Sequence, residues 1–261
     1  MAEAMIRGLV DQDAIAPDRI TVSDPVPERR DTLSNSYGVG ALDDNGSAVS
    51  SANVVVLAVK PQSLSQVLSD VNGRIPTGAL VLSIVAGGTI ERIVRGAGHA
   101  AVVRSMPNTP AQIQQGITVW TATAGVTSDQ EAEARAILQS LGKDIRVDDE
   151  QYLDMATALS GSGPGYIFLF MEAMVDAGVH MGFPRRIAEE LVLQTIRGAV
   201  DYAEQSGKHV AELRNQVTSP GGTTAAALYR MEKGGIRTVI SRGIWAAYER
   251  SVEFGRQEAD D

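Results

Sequence analysis

The sequence predicts an α/β fold, with a Rossmann-like parallel-sheet domain over residues 1–148 and an all-helical domain over residues 149–261. Three observations predict it. Up to Val147, strand-sized apolar runs alternate with helical patterns, and that alternation implies a parallel sheet. Residues 53–59 and 79–85 are apolar almost throughout, as strands covered on both faces are. From Asp149 onward only helical periodicity remains.

Taken in order, residues 1–10 place Ala4, Met5 and Leu9 at helical spacing, with Gly8 near the end and no cap ahead of them. A strand is expected at 19–23, a helix at 27–37, a short strand near 39–41 and a brief helix at 47–51. The strand 53–59, helix 63–71, strand 79–85, helix 89–96 and strand 101–104 follow. Strands 117–122 and 144–147 flank a helix at 128–141. In the second half, helices are expected at 151–160 and 166–181, separated by a break at Gly161-Ser162-Gly163-Pro164-Gly165. Pro184 opens the next helix and Gly207 stops it, each at its favoured end. Helices 209–216, 225–233 and 236–256 close the chain, and the acidic tail 258–261 is expected to fray.

The helix 166–181 carries Ile167, Phe168, Leu169, Phe170, Met171, Met174, Val175 and Val179, apolar around most of its circumference. A domain of this size barely encloses such a helix alone. A symmetric partner is therefore expected to cover it, making the chain a homodimer through this half. The alternative is a central core helix within one subunit.

Composition narrows the function classes. The chain has 261 residues, 44% hydrophobic and 21% charged, enough to bury a core. Net charge is −9, spread over both halves with no basic patch, so nucleic-acid binding is not expected. There is no Cys, hence no disulfide, thiolate nucleophile or Cys-based zinc site, which fits a cytoplasmic location. No apolar run approaches membrane-spanning length and no signal peptide is visible. His99, His180 and His209 are scattered without metal-ligand spacing, so no metal is expected.

The most informative stretch is Val217-Thr218-Ser219-Pro220-Gly221-Gly222-Thr223-Thr224-Ala225-Ala226-Ala227-Leu228. Pro and Gly end what precedes them, and the alanines start a helix. A hydroxyl is expected at or near the N-cap. The free N–H groups and dipole of that helix start suit a carboxylate or phosphate. The plainer reading is an ordinary capped helix after a turn.

Continued through Tyr229-Arg230-Met231-Glu232, this stretch resembles the signature segment of Δ1-pyrroline-5-carboxylate reductases. Three further segments resemble parts of the same family's cleft: Val56-Leu57-Ala58-Val59-Lys60-Pro61-Gln62, Leu82-Ser83-Ile84-Val85-Ala86-Gly87-Gly88-Thr89, and Arg104-Ser105-Met106-Pro107-Asn108-Thr109-Pro110. Each follows a predicted strand, where ligands of such sheets sit. The resemblance implies reduction of 1-pyrroline-5-carboxylate to L-proline by hydride from NADPH or NADH, the last step of proline biosynthesis. It implies a homodimer or a ring of dimers. Thr224 would be the catalytic residue, bonding the ring nitrogen, and Ser219, Gly222, Thr223 and Thr224 would bind substrate. Ser23, Asp24, Ala58, Val59, Lys60, Pro61, Ala86, Gly87, Met106, Pro107 and Asn108 would line the cofactor. The substrate cleft is expected between domains or between subunits.

The sequence departs from the family in one respect. A dinucleotide fold begins with a strand and a G-x-G-x-x-G turn, and neither precedes the first helix here. A start assigned at an internal Met would account for this. The lost strand would be central and leave a gap in the sheet, and cofactor affinity would suffer. Asp24 stands where such folds place the acidic residue for a ribose hydroxyl, whereas Arg29 or Arg30 could hold the phosphate of NADP. Asp24-Pro25 equally suits a turn. Two rivals to the reductase reading stand. One is an imine or hydroxyacid reductase, whose lysine-centred catalytic helix is not found after Asp149. The other is a non-enzymatic, cofactor-impaired dimeric scaffold.

Overall fold

The computed structural model describes residues 1–257, and the acidic tail 258–261 lies outside them. Packing divides the chain into two compact units. One is Met1–Pro164 with the chain end from Ala246, and the other is Gly165–Trp245. Composition changes at 148/149, but Leu153, Ala156, Ala158 and Ser251 are buried within the first unit.

In the first unit the elements are α1 (Ala2–Asp11), β1 (Thr21–Ser23), α2 (Pro27–Tyr37), β2 (Gly40–Leu42), α3 (Asn45–Val49) and β3 (Val54–Leu57), then α4 (Leu64–Val71), β4 (Leu80–Ser83) and α5 (Ile90–Ala97). After these come β5 (Val102–Met106), β6 (Gly116–Ala122), α6 (Ser128–Gln139), β7 (Gly142–Arg146) and α7 (Gln151–Ala156). The strands make two ladders: β1-β2, and the five-stranded β3-β4-β5-β6-β7. Among the described residues the strands thus fall into two separate sheets.

Helix α1 belongs to the packing of both ladders. Ile6 joins Leu33 and Val39 beside the small sheet, while Ala4, Met5 and Leu9 join Leu80, Leu82, Val103, Trp120 and Leu138 on one face of the large one. Leu57, Leu64, Leu68, Val81, Ile93 and Val102 fill the opposite face under α4 and α5. One helix can serve two clusters because its apolar positions span more than a single stripe.

Several expectations need correction. The sheet is not wholly parallel: β6 runs antiparallel to β5, though β7 is again parallel to β6. Parallel pairing needs a crossover of roughly a dozen residues or more. Between β5 and β6 the chain has only a short link with one 3₁₀ turn, Thr109–Ile113, whereas α6 bridges β6 and β7. The strand expected from residue 19 starts at Thr21, because Pro17–Arg19 is a 3₁₀ turn closed by the Ile20 N–H on Pro17 O. The brief helix expected at 47–51 is α3, two residues earlier, because Asp44 caps it by accepting the Ser47 N–H at 2.7 Å.

Beyond α7 the expected break narrows to a bend at the single residue Ser162. The helix loosens into a π turn at Thr157–Gly161, with the Ser162 N–H on Thr157 O, and α8 (Gly163–His180) starts three residues early. Pro164 causes no rupture because it lies in the first turn of α8, where no intrahelical N–H bond is needed. Helices α9 (Arg185–Ser206), α10 (Val210–Gln216), α11 (Thr223–Lys233) and α12 (Ile236–Gln257) follow, α12 returning to the first unit.

The second unit buries little. Val175, Ala188 and Val192 pack with Met171, Met174 and Ile196 between α8 and α9. Ile167, Phe168, Leu169 and Phe170 remain 48%, 62%, 66% and 42% exposed, so α8 is not a core helix of a single subunit. Among the described residues no helix is long and apolar enough to cross a membrane.

Candidate active site

The carboxyl ends of three neighbouring parallel strands lie side by side. Leu57 of β3 pairs with Ser83 of β4, and Ser83 pairs with Arg104 of β5. At or just beyond these ends are the sequence-predicted cofactor residues Ala58, Val59, Lys60 and Pro61, then Ala86 and Gly87, then Met106, the last residue of β5, with Pro107 and Asn108. Ala58 and Ala86 are partly exposed and carry only a methyl group. Gly87 has a left-handed φ of 75°. A flat ligand can therefore approach the backbone here, at the strand ends where sheets of this kind bind dinucleotides. Asn108 is more structural than expected: its amide donates to Ser160 O at 3.1 Å and its oxygen accepts the Ile117 N–H at 3.0 Å.

Ser23 and Asp24 lie at the end of β1, on the small ladder. The Asp24 carboxylate accepts the Val26 N–H at 2.9 Å, the turn geometry that Asp-Pro favours. The Arg30 guanidinium donates to Asp24 O at 2.7 Å. Arg29 is engaged with Glu3 at 2.7 Å, and the Tyr37 hydroxyl donates to the other Glu3 oxygen at 3.1 Å. The bond from Arg29 holds the Glu3 carboxyl below its ordinary value against the opposing effect of burial.

The Ser219-to-Thr224 stretch forms a tight turn into α11. The Gly222 N–H donates to Ser219 O at 3.0 Å, and Gly221 has φ 70°, which with Pro220 before it fits a type II turn. One detail differs from expectation. The N-cap is Gly222, and no side-chain hydroxyl caps the helix. A Cβ on Gly222 would lie 2.5 Å from Ser219 Oγ, so the serine folds over the space that the glycine leaves. The first intrahelical bond is Ala226 N–H to Gly222 O. The N–H groups of Thr223, Thr224 and Ala225 thus precede the helical ladder at the positive dipole end. The missing hydroxyl cap leaves Ser219, Thr223 and Thr224 undiverted from a ligand.

The histidines have structural places. His99 is buried with Nε2 2.7 Å from Ala79 O, His209 caps α10, and His180 ends α8. Sequence reading quoted Arg104 within a cleft segment without giving it a role and passed over Glu150; the two meet at 2.6 Å. Their only signal was a charged residue closing an otherwise apolar strand.

A dinucleotide-type α/β unit with a helical unit beyond it defines an oxidoreductase class. Residues 1–87 match the family described as NADP oxidoreductase, coenzyme F420-dependent, and residues 150–254 match pyrroline-5-carboxylate reductase dimerisation. The chain is 42% identical to a pyrroline-5-carboxylate reductase of Synechocystis sp., covering 98% of this chain and 96% of that protein. It is 38% identical to the Pisum sativum enzyme of that name, over 97% of this chain and 92% of the relative. Among solved structures, the Coxiella burnetii reductase superposes with a TM-score of 0.87 at 37% identity, covering 97% and 94% of the two chains. The Plasmodium falciparum reductase with NADP bound gives 0.88 at 30% identity, covering 97% and 93%. The chain belongs to the pyrroline-5-carboxylate reductase family. A dimerisation segment in that family accounts for the exposed apolar faces of α8.

Proposed function

We propose that this protein reduces 1-pyrroline-5-carboxylate to L-proline with NADPH or NADH, the closing step of proline biosynthesis. Identity of 42% over nearly the whole chain carries this reading. The open helix start at Thr223 supports it chemically. Residues 1–148 serve as the dinucleotide-binding part and 149–261 as the dimerisation and substrate part. The protein works in the cytoplasm as a homodimer or a ring of dimers. NADPH is favoured because the Plasmodium falciparum relative was solved with NADP.

The N–H groups of Thr223 and Thr224, approached across Gly222, bind the substrate carboxylate, and the Ser219 hydroxyl adds a third donor. The dipole of α11 favours the anion there. The Thr224 hydroxyl accepts the N–H of the protonated imine and holds the ring in one orientation. The substrate imine takes its proton from solvent, so no strongly acidic side chain is required of the chain. Ser23, Asp24, Ala58, Val59, Lys60, Pro61, Ala86, Gly87, Met106, Pro107 and Asn108 hold the cofactor. The reduced nicotinamide, when bound, supplies the hydride. The test is loss of NAD(P)H absorbance on adding pyrroline-5-carboxylate, with proline as the product. A protein that oxidises neither cofactor with this substrate overturns the assignment.

A further inference from the structure

An ionic cluster with a buried guanidinium and two partly exposed carboxylates lies just behind the strand ends. Arg104 is 4% exposed although it carries a permanent charge. Val102 faces the α4 and α5 side of the sheet, so alternation places Arg104 on that side too. Its Nη1 donates to Glu150 Oε1 at 2.6 Å, and its Nη2 lies 3.9 Å from Asp154 Oδ1. The same Glu150 oxygen accepts the backbone N–H of Ile90 at 2.8 Å, the first residue of α5. Asp154 Oδ1 accepts the Ser251 hydroxyl of α12 at 2.8 Å. Four elements of the first unit thus meet on one guanidinium and two carboxylates.

Such a cluster is a poor source of stability, since well-packed apolar residues often serve as well or better. Its geometry is more specific. The loop 84–89, with Ala86 and Gly87, ends at the Ile90 N–H held by Glu150. The loop 107–115 starts three residues after Arg104 and opens with Pro107 and Asn108. Besides Glu150, the start of α5 has a long cap bond, Arg92 N–H to Thr89 Oγ1 at 3.3 Å. Gly87 and Gly88 leave the loop backbone free to turn. We propose that Arg104 and Glu150 are positioning residues: their ion pair fixes the loop after β4 against the end of β5, and so sets the cofactor side of the site. The proposal rests on the cofactor placement given above.

The experiment compares wild type with Glu150→Ala, Glu150→Gln and Arg104→Met. It measures the Kd for NADPH by fluorescence without substrate, steady-state kcat and both KM values, and Tm. A displacement of about 1 Å is enough to lose on the order of a hundredfold. The expected result is a tenfold to hundredfold rise in Kd and KM for NADPH in Glu150→Ala and Arg104→Met, a range set by that sensitivity. KM for pyrroline-5-carboxylate changes far less. Glu150→Gln, which keeps an acceptor for the Ile90 N–H, recovers much of the NADPH affinity. If a single variant fails to fold, the triple variant Arg104→Met, Glu150→Leu, Asp154→Leu removes all three charges together and is read in its place. Folded variants with wild-type Kd for NADPH overturn the proposal, as does a lowered Tm with unchanged kinetics. A wild type that binds NADPH but leaves pyrroline-5-carboxylate unreduced overturns the substrate assignment alone, and the Kd series still decides the positioning role.

Discussion

Thr224 carries one hydroxyl at a helix start whose backbone already complements an anion. Replacing it with Ala removes the proposed contact to the ring nitrogen and leaves the N–H donors in place. Thr224→Ala is expected to lower kcat/KM by roughly tenfold to a thousandfold, as loss of one well-placed polar contact does. Steady-state kinetics check this, and an unchanged value removes Thr224 from the mechanism. Asp144 makes a different prediction, about stability. Its side chain is only 3% exposed. Burial raises its carboxyl, but the Trp120 indole N–H, the Gln139 amide and Arg135 together outweigh that and hold it below its ordinary value. The folded value is therefore below the unfolded one. The stabilisation is complete above the ordinary Asp range, near pH 4, and fades as pH falls through the lower folded value. Thermal melts below roughly pH 4 should fall more steeply for wild type than for Asp144→Asn. At this scale the sequence showed residue types but not their partners. Asp24 was open between turn and ribose, and only the bond to the Val26 N–H shows the turn. Arg104 could not be paired in advance because its partners lie 46 and 50 positions along the chain.

Among the described helices, α1 has side chains in two cores. Met5 is buried in the larger one, and Met5→Ala is expected to destabilise by about 2–5 kcal/mol in urea unfolding. Gly8 lies against the Ser140 carbonyl, so any added Cβ collides with backbone. Gly8→Ala should lower Tm even though Ala is the better helix former. A stabilised Gly8→Ala would mean that α1 does not pack there. Most elements were legible because period and punctuation agreed. Pro27 and Gly38 bracket α2 over the residues expected, and Gly207 closes α9 in the left-handed conformation. The misses have local causes. The run Gly161-Ser162-Gly163-Pro164-Gly165 reads as a break of five residues, yet the π turn through Gly161 and the start of α8 at Gly163 leave only Ser162 as a bend. Strand direction at β6 was hidden because apolar alternation says nothing about polarity along a sheet.

At the level of the molecule, the apolar side of α8 requires a partner surface. An open groove of about 510 Å³ runs beside it, lined by Phe168, Leu169, Glu172 and Arg185. Phe168→Asp with Leu169→Asp should convert the oligomer to monomer in sedimentation velocity, because each charge would have to be desolvated on assembly. An unchanged sedimentation coefficient would place the interface elsewhere. The two-part plan was readable from the sequence because strand signals end where helical ones take over. The division of the sheet has a consequence for how the protein breathes. Each strand of the small ladder has three residues, and among the described residues its cluster holds three buried side chains, Ile6, Leu33 and Val39, with Val10, Ile20, Val22 and Tyr37 partly buried against them. Two-stranded sheets are barely stable by themselves. Backbone amides at Thr21–Ser23 and Gly40–Leu42 should therefore exchange with deuterium well before those of β4 and β5. If the cofactor binds at Ser23 and Asp24 as proposed, binding must order these amides, and its affinity is reduced by the entropy of doing so.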